Sequence, residues 1–331
     1  MTIRQIAEQL GVAPSTVSVV LNDRPGIRPE MREKIRKVLQ ENGYRIRTKE
    51  PETNGNILLI YFKSTDYLSG RKDGTLSSIL SGLKETTEKH QYTFSITNAD
   101  AGTIDSIIRD ESGKSIGIIL LCTEYYENPT PAMTEAAIPL IMLDGYFPEY
   151  PLNTVNMDNS YGISQLVDHL VSHGHKKIGY LKSRMEFGCL RDRTNRIYDS
   201  LRHHGIEAPF CIINVSQEPA SIQQEIRAYL DAGPDLPSAF IADNDAIAVS
   251  AMQVFQNAGY KVPENISITG FDDSEIGKII TPNLTTVQAD LTEMARQAVL
   301  RIITMHEEGS KTFTRINIGT CMIERDSVSQ I

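Results

Sequence analysis

From Asn56 onward the chain alternates short apolar runs with amphipathic stretches, and no other feature of its 331 residues restricts the fold as much. Strand candidates are Asn56–Phe62, Tyr92–Ile96, Gly117–Leu121, Leu140–Leu143 and Val155–Met157. A second series follows at Lys177–Leu181, Phe210–Val215, Ala239–Ala242 and Ser267–Thr269, with a last run near Thr320–Ile323. Helical patterns at Leu76–Lys89, Ser160–His173, Arg193–His204, Ile222–Asp231 and Ala246–Asn257 separate most of them. Strands regularly interrupted by helices are joined by crossovers, which requires parallel sheets covered on both faces. The expected class is therefore α/β, and two such series imply two similar doubly wound lobes.

No run approaches the ~18 apolar residues of a membrane span, and Met1-Thr2-Ile3-Arg4-Gln5 does not open a secretory signal. Cys122, Cys189, Cys211 and Cys321 form no C-x-x-C pair, so they are expected as reduced thiols in a cytoplasmic protein. The net charge of −9 is unevenly spread: residues 1–50 hold ten basic and six acidic side chains, leaving a body of −13 behind a head of +4. A basic head on an acidic body points to phosphate binding at one end.

Within that head, Ile3, Ile6, Ala7 and Leu10 form one helical stripe, with Thr2 and Gln5 at capping-box spacing and Gly11 as the stop. Pro14 suits the first turn of a second helix that turns Val17, Val20 and Leu21 inward and Ser15, Thr16, Ser18, Val19 and Asn22 outward. Pro29 opens a third, with Met31, Ile35, Val38 and Leu39 on its inner face and Gly43 at its end. Three short helices with a tight turn between the first two make a helix-turn-helix unit, whose second helix enters the major groove. The plainer alternative is a small helical bundle that merely packs on its neighbour.

The segments Thr2-Ile3-Arg4-Gln5-Ile6-Ala7, Gly11-Val12-Ala13-Pro14-Ser15-Thr16-Val17-Ser18, Leu21-Asn22 and Glu41-Asn42-Gly43-Tyr44 closely resemble the lactose/galactose repressor (LacI/GalR) family. The resemblance implies that Pro14, Ser15 and Val19 face base edges while Thr2, Thr16, Ser18 and Asn22 hold the DNA backbone. Two residues depart from the family pattern. Val19 stands where an arginine is usual, so a bidentate guanine contact gives way to contact with a thymine methyl, and an A·T preference is expected. Ala13 replaces the usual serine cap, at a cost of about 1 kcal/mol.

Residues 45–55 read as a charged linker with Pro51 and Gly55. The resemblance places a hinge helix here, with a leucine wedge for the minor groove, but the Asn-x-x-Ala-x-x-Leu pattern is missing. Arg45, Arg47 and Lys49 remain as phosphate or minor-groove contacts and Ile46 as the one poorly placed wedge; a flexible basic tether is the alternative.

The resemblance continues through His169-Leu170, Gly174-His175, Asn244-Asp245 and Gly270-Phe271-Asp272-Asp273, and implies two lobes of periplasmic-binding-protein-like type with a ligand between them. The expected division is a head over 1–44, the linker, one lobe over 56–157 plus about 285–315, and a second over 158–284 plus about 316–331. Ligands of open α/β sheets bind beyond the carboxyl ends of the strands. Asp144, Asn244, Asp245 and Asp272 lie there, and carboxylates with an amide suit a polyol. By resemblance Arg193, at the start of its helix, joins them and forks two donors onto adjacent oxygens. Phe187 in the preceding loop offers an apolar face. The plainer readings are a turn or helix cap for Asp272, a helix cap for Asp245 and a surface ion pair for Arg193. The family's Asn-Pro-Phe-Phe stretch is replaced by Thr65-Asp66-Tyr67-Leu68 and a longer loop, Ser69–Gly74, so ligand identity does not carry over.

His169, His173 and His175 have a metal-like spacing, but the family uses this stretch for packing and helix ends, and no metal is expected. His203-His204 sit at another helix end, where cations are favoured. Neither a phosphate-binding loop nor a nucleophile elbow occurs, so no cofactor, catalytic residue or enzymatic activity is expected. The expected partners are a near-palindromic operator DNA, a small sugar-like effector and a second copy in a homodimer, with a corepressor protein as a further partner and no membrane. Induction and corepression both fit. The competing assignments are a cytoplasmic solute-binding protein and a sugar-acting enzyme with an appended helical head.

Overall fold

A computed structural model describes residues 1–22, 24, 26–44, 53–64, 75–125, 127–185 and 187–331. The linker residues Arg45, Ile46, Arg47 and Lys49 and the loop 65–74 lie outside them. The chain divides into two units, Met1–Asn54 and Gly55–Ile331.

The first unit holds α1 (Ile3–Gln9), α2 (Pro14–Leu21) and α3 (Pro29–Glu41). Ile6, Ala7, Val17, Val20, Ile35 and Leu39 bury one another at its centre, as the apolar spacing requires. The Thr2 hydroxyl accepts from Gln5 N and Gln5 Oε1 accepts from Thr2 N at 2.8 Å, a complete capping box. Ala13 caps α2 without a side-chain bond. The Tyr44 hydroxyl donates to the Met1 carbonyl at 2.9 Å and ties the two ends of the unit together.

In the second unit the order is β1 (Asn56–Phe62), α4 (Thr75–Lys89), β2 (Thr93–Ala99), α5 (Ile104–Asp110), β3 (Gly117–Leu121), α6 (Pro131–Thr134), β4 (Leu140–Leu143) and β5 (Asn153–Met157). It continues through α7 (Asn159–Ser172), β6 (Ile178–Ser183), α8 (Gly188–His203), β7 (Ile212–Val215), α9 (Pro219–Asp231), β8 (Ala239–Ala242), α10 (Asp245–Asn257) and β9 (Ser267–Thr269). The last part is α11 (Glu275–Ile279), β10 (Thr286–Ala289), α12 (Leu291–Glu308), β11 (Arg315–Ile318) and β12 (Thr320–Ile323). One parallel sheet runs β11-β5-β4-β3-β1-β2 and a second runs β7-β6-β8-β9. β10 and β12 pair antiparallel between these two lobes. The chain passes from one lobe to the other after β5, through β10 and from β11 into β12.

Three elements differ from expectation in ways with a physical cause. β2 runs on to Ala99 because it is an edge strand whose outer residues need no apolar partner. β11 belongs to the first sheet through its pairing with β5, which carries that lobe past residue 315 to Ile318. α8 begins at Gly188, so Arg193 sits in its second turn rather than at its start. Among the described residues no helix is long and apolar enough to cross a membrane.

The long helix α12 buries Met294, Ala295, Ala298, Val299, Ile302 and Ile303 along one face. Asp290 caps its start, accepting from Glu293 N at 2.9 Å, and Gly309 ends it at φ 63°. It packs on α4 so closely that a Cβ added at Gly82 would lie 2.5 Å from the Thr292 carbonyl oxygen. Backbone cannot move aside as a side chain can. Gly82→Ala is therefore expected to destabilise the second unit by about 1–3 kcal/mol, read as a lower urea midpoint at unchanged slope.

Candidate functional site

Two regions concentrate polar chemistry, one in each unit. On α2 the packing of Val17 and Val20 turns the opposite face outward. Pro14 and Ser15 are exposed, and Thr16, Ser18, Val19 and Asn22 are half-buried. Asn22 Nδ2 donates to the Ser18 carbonyl at 2.8 Å and lies 3.4 Å from the Ser18 hydroxyl. These two polar groups therefore form one patch at the helix end. Thr2 is exposed at the start of α1 with its hydroxyl in the capping box. The outward face is small, and its polar atoms are hydroxyls, an amide and the free start of a helix.

In the second unit Asp144, Phe187, Arg193, Asn244 and Asp272 all line one cleft, partly open to solvent. Each carboxylate follows a strand end. Asp144 comes directly after β4 with φ 59°, a left-handed conformation that aspartate tolerates better than most residues, and its Oδ2 accepts from the Thr123 hydroxyl at 2.8 Å. Asp272 is the third residue after β9 and has φ 108°. Asn244 caps α10, its Oδ1 accepting from Ile247 N at 2.9 Å. Phe187 is buried at the start of α8.

Arg193 is the centre of the cleft floor. It is only 2% exposed, yet it keeps its charge. Nε donates to Asn159 Oδ1 at 2.8 Å, Nη1 to the Asp243 carbonyl at 2.5 Å and Nη2 to Asp272 Oδ1 at 3.2 Å. Its guanidinium carbon stands 3.6 Å from the Phe271 ring centroid. Burial works against the cation, but Asp272 above all, with Asp243 and Asp144, outweighs it and holds the guanidinium above its ordinary value. The surface ion pair considered for this residue is thus replaced by a buried one. The free two-donor fork is also corrected, because most of the fork is committed to the protein itself.

Asp245 does not cap α10, since Asn244 does so. It is buried and accepts from Ser274 N at 2.6 Å, the Ser274 hydroxyl at 3.0 Å and the Thr286 hydroxyl at 2.5 Å. Burial, then the neighbouring Asp272 charge, push its carboxyl up to about 7. Asp243, under the sheet end, accepts from the Tyr180 hydroxyl and from Ser183 N at 2.7 Å, and burial raises it to about 6.

Further cleft residues escaped the sequence reading. Thr123 and Glu124 follow β3, and Gln217 follows β7, so the strand-end rule that found Asp144 finds them too. Leu190 and Leu291 carried no such signal. A second recess shares Asp144, Met157 and Cys189 with the cleft and adds Asn156, Asp158 and Asp192. Carboxylates and amides that accept or share hydroxyl protons, a buried cation and the apolar faces of Phe187, Leu190 and Leu291 suit a small polyhydroxylated molecule. Of the histidines, His175 is tied to the Ser238 hydroxyl at 2.9 Å and the Ser329 carbonyl at 3.1 Å. His204 pairs with Asp168 at 2.6 Å.

Residues 2–46 match the bacterial regulatory proteins of the lacI family, and residues 167–328 match the periplasmic binding protein-like domain. A ribose operon repressor of Haemophilus influenzae is 24% identical over 99% of this chain and 98% of its own length. The HTH-type transcriptional regulator KdgR of Bacillus subtilis is 23% identical over 99% and 97%. Among solved structures, a lac repressor dimer bound to operator and an anti-inducer superposes with a TM-score of 0.72 at 21% identity, covering 99% of each chain. The regulator CelR in complex with cellobiose gives 0.71 at 21% identity over 99% of each chain. A LacI family regulator from Enterococcus faecium with bound ribose gives 0.67 at 19%, covering 83% of this chain and 99% of its own. The solved structures share the fold, and the two matched segments bracket a DNA-binding head and a two-lobed body.

Two outcomes follow from the buried charges. Arg193→Ala removes the buried guanidinium from Asp272, Asn159 and the Asp243 carbonyl and is expected to destabilise the second unit by about 3–5 kcal/mol in urea denaturation. Asp245, raised in the folded state, binds its proton more tightly there than when unfolded. It therefore lowers stability progressively as pH rises from about 4 to about 7. The stability difference between the parent chain and Asp245→Asn should shift in favour of the variant across that window, and a flat difference would contradict the assignment.

Proposed function

We infer that this chain, which belongs to the lacI family of bacterial regulatory proteins, is a sequence-specific DNA-binding repressor whose operator affinity is set by a small polyhydroxylated effector. The reading rests on one observation above the others: all five residues picked out for ligand binding line a single cleft at the strand ends. In this reading Asp144, Asn244 and Asp272 take hydroxyls. Arg193 supplies fixed positive charge through an already organised guanidinium, and Phe187 packs against the ring. The effector is a sugar or sugar derivative, which accords with the cellobiose and ribose in the two structural neighbours. The work is binding rather than catalysis.

In the head, Pro14, Ser15 and Val19 face base edges and Thr2, Thr16, Ser18 and Asn22 contact phosphates. Two heads in a homodimer read the half-sites of a near-palindromic operator. Lobe closure around the effector changes the geometry of the crossings at β10 and β12, and with it the preferred separation of the heads.

Selection of bound duplexes from a random pool, with and without a panel of sugars, tests this. The expected product is a two-fold symmetric consensus with A·T pairs at the step facing Val19. Val19→Arg should move that step toward G·C by about 1–3 kcal/mol of discrimination. Absence of any enriched palindrome across the panel would overturn the reading.

A further inference from the structure

The histidine pair at the end of α7 acquires a partner that no spacing rule could supply. His169 and His173 are one turn apart on the same helix face, with ring centroids 4.2 Å apart. β12 runs along α7, its Met322 N–H donating to Gln165 Oε1 at 3.1 Å and its Thr320 hydroxyl to the Asp158 carbonyl at 2.9 Å. The residue that follows the strand, Glu324, is thereby brought over the helix end. One ring nitrogen of each histidine and one carboxylate oxygen of Glu324 lie within 4.8 Å of one another.

Helix-end chemistry leaves part of this arrangement unexplained. His169 is 8% exposed, and its buried Nε2 has no hydrogen-bond partner among the described residues. A buried ring nitrogen normally finds a partner, so an orphan on one of three metal-competent side chains that meet here points to a missing electrophile. His173 Nδ1 lies 2.8 Å from the His169 carbonyl oxygen. A proton held there leaves Nε2 with its lone pair, the arrangement by which ligating histidines are oriented in metal sites. The carbonyl end of a helix also favours a cation.

We propose that His169, His173 and Glu324 bind a divalent transition metal of the zinc class, pinning the C-terminal segment to the end of α7. Two imidazoles and a carboxylate suit a borderline ion rather than calcium or magnesium, and the exposed side leaves a fourth position for water. Metal–ligand distances of ~2.0–2.2 Å require the three groups to draw closer. The exposed Glu324 side chain can swing in to do so. Ile331 N already donates to the His173 carbonyl at 3.0 Å, so the metal would secure both ends of the segment 324–331. The assignment is independent of the proposed effector and operator.

The test is titration of full-length, chelator-stripped protein with Zn²⁺, and with Co²⁺ as a spectroscopic probe. One equivalent should bind, the melting temperature should rise, and Co²⁺ should give visible bands of a four- or five-coordinate nitrogen–oxygen site. Glu324→Gln and His173→Ala replace side chains that are not fully buried, and each should weaken binding at least about tenfold with the metal-free melting temperature unchanged. Cys321→Ser should bind as the parent does. Binding that survives the Glu324→Gln, His173→Ala double variant, or no saturable binding by the parent, would overturn the proposal.

Discussion

A buried guanidinium joins elements that sequence places far apart. Arg193, from α8, holds Asn159 at the start of α7, the Asp243 carbonyl just beyond β8, the Asp272 carboxylate beyond β9 and the face of Phe271. Removing an ion from water is costly, and the cost is met only where several partners converge with good geometry. That requirement ties the positions of three strand ends to one side chain. The cleft beside it is therefore organised before any ligand arrives, which reduces the ordering cost of binding.

The same economy shows in the neighbouring carboxyl groups. Asp245 and Asp243 are buried under the strand ends and directed at hydroxyl and backbone donors, while Asp144 and Asp272 line the cleft. Adjacent aspartates thus divide into those buried behind the cleft and those that face into it. The division depends on which strand end, and which side of it, each residue occupies. Residue type alone does not distinguish the two groups.

Much of this was legible from the chain itself. Five parallel strands, among them Asn56–Phe62, Gly117–Leu121 and Ala239–Ala242, begin and end where expected, because strands buried on both faces leave a short run of mostly apolar residues. β10 and β11 were not seen, since Thr-Val-Gln-Ala and Arg-Ile-Asn-Ile are short, half-polar segments that pair only in the assembled unit. α12 went unread although Asp290, Glu293 and Gly309 mark its ends. The strand-end rule located Asp144, Asn244 and Asp272, and it would have located Glu124 and Gln217 had it been applied after every strand. Arg193 came from family resemblance, and its many internal partners could not be seen without the fold. Nor could Glu324, whose meeting with His169 and His173 depends on where β12 lies.

Under the proposed function, one chain couples a polar ligand in the cleft to DNA at the head. Such coupling is reciprocal, so whatever factor the effector imposes on operator affinity the operator must impose on effector affinity. Calorimetric titration of the sugar identified from the panel, into protein alone and into protein saturated with its selected operator, measures this directly. The two affinities are expected to differ by about 5–150-fold, equal to the ratio of operator affinities with and without sugar. Equal sugar affinities in the two titrations, alongside tight DNA binding, would contradict it.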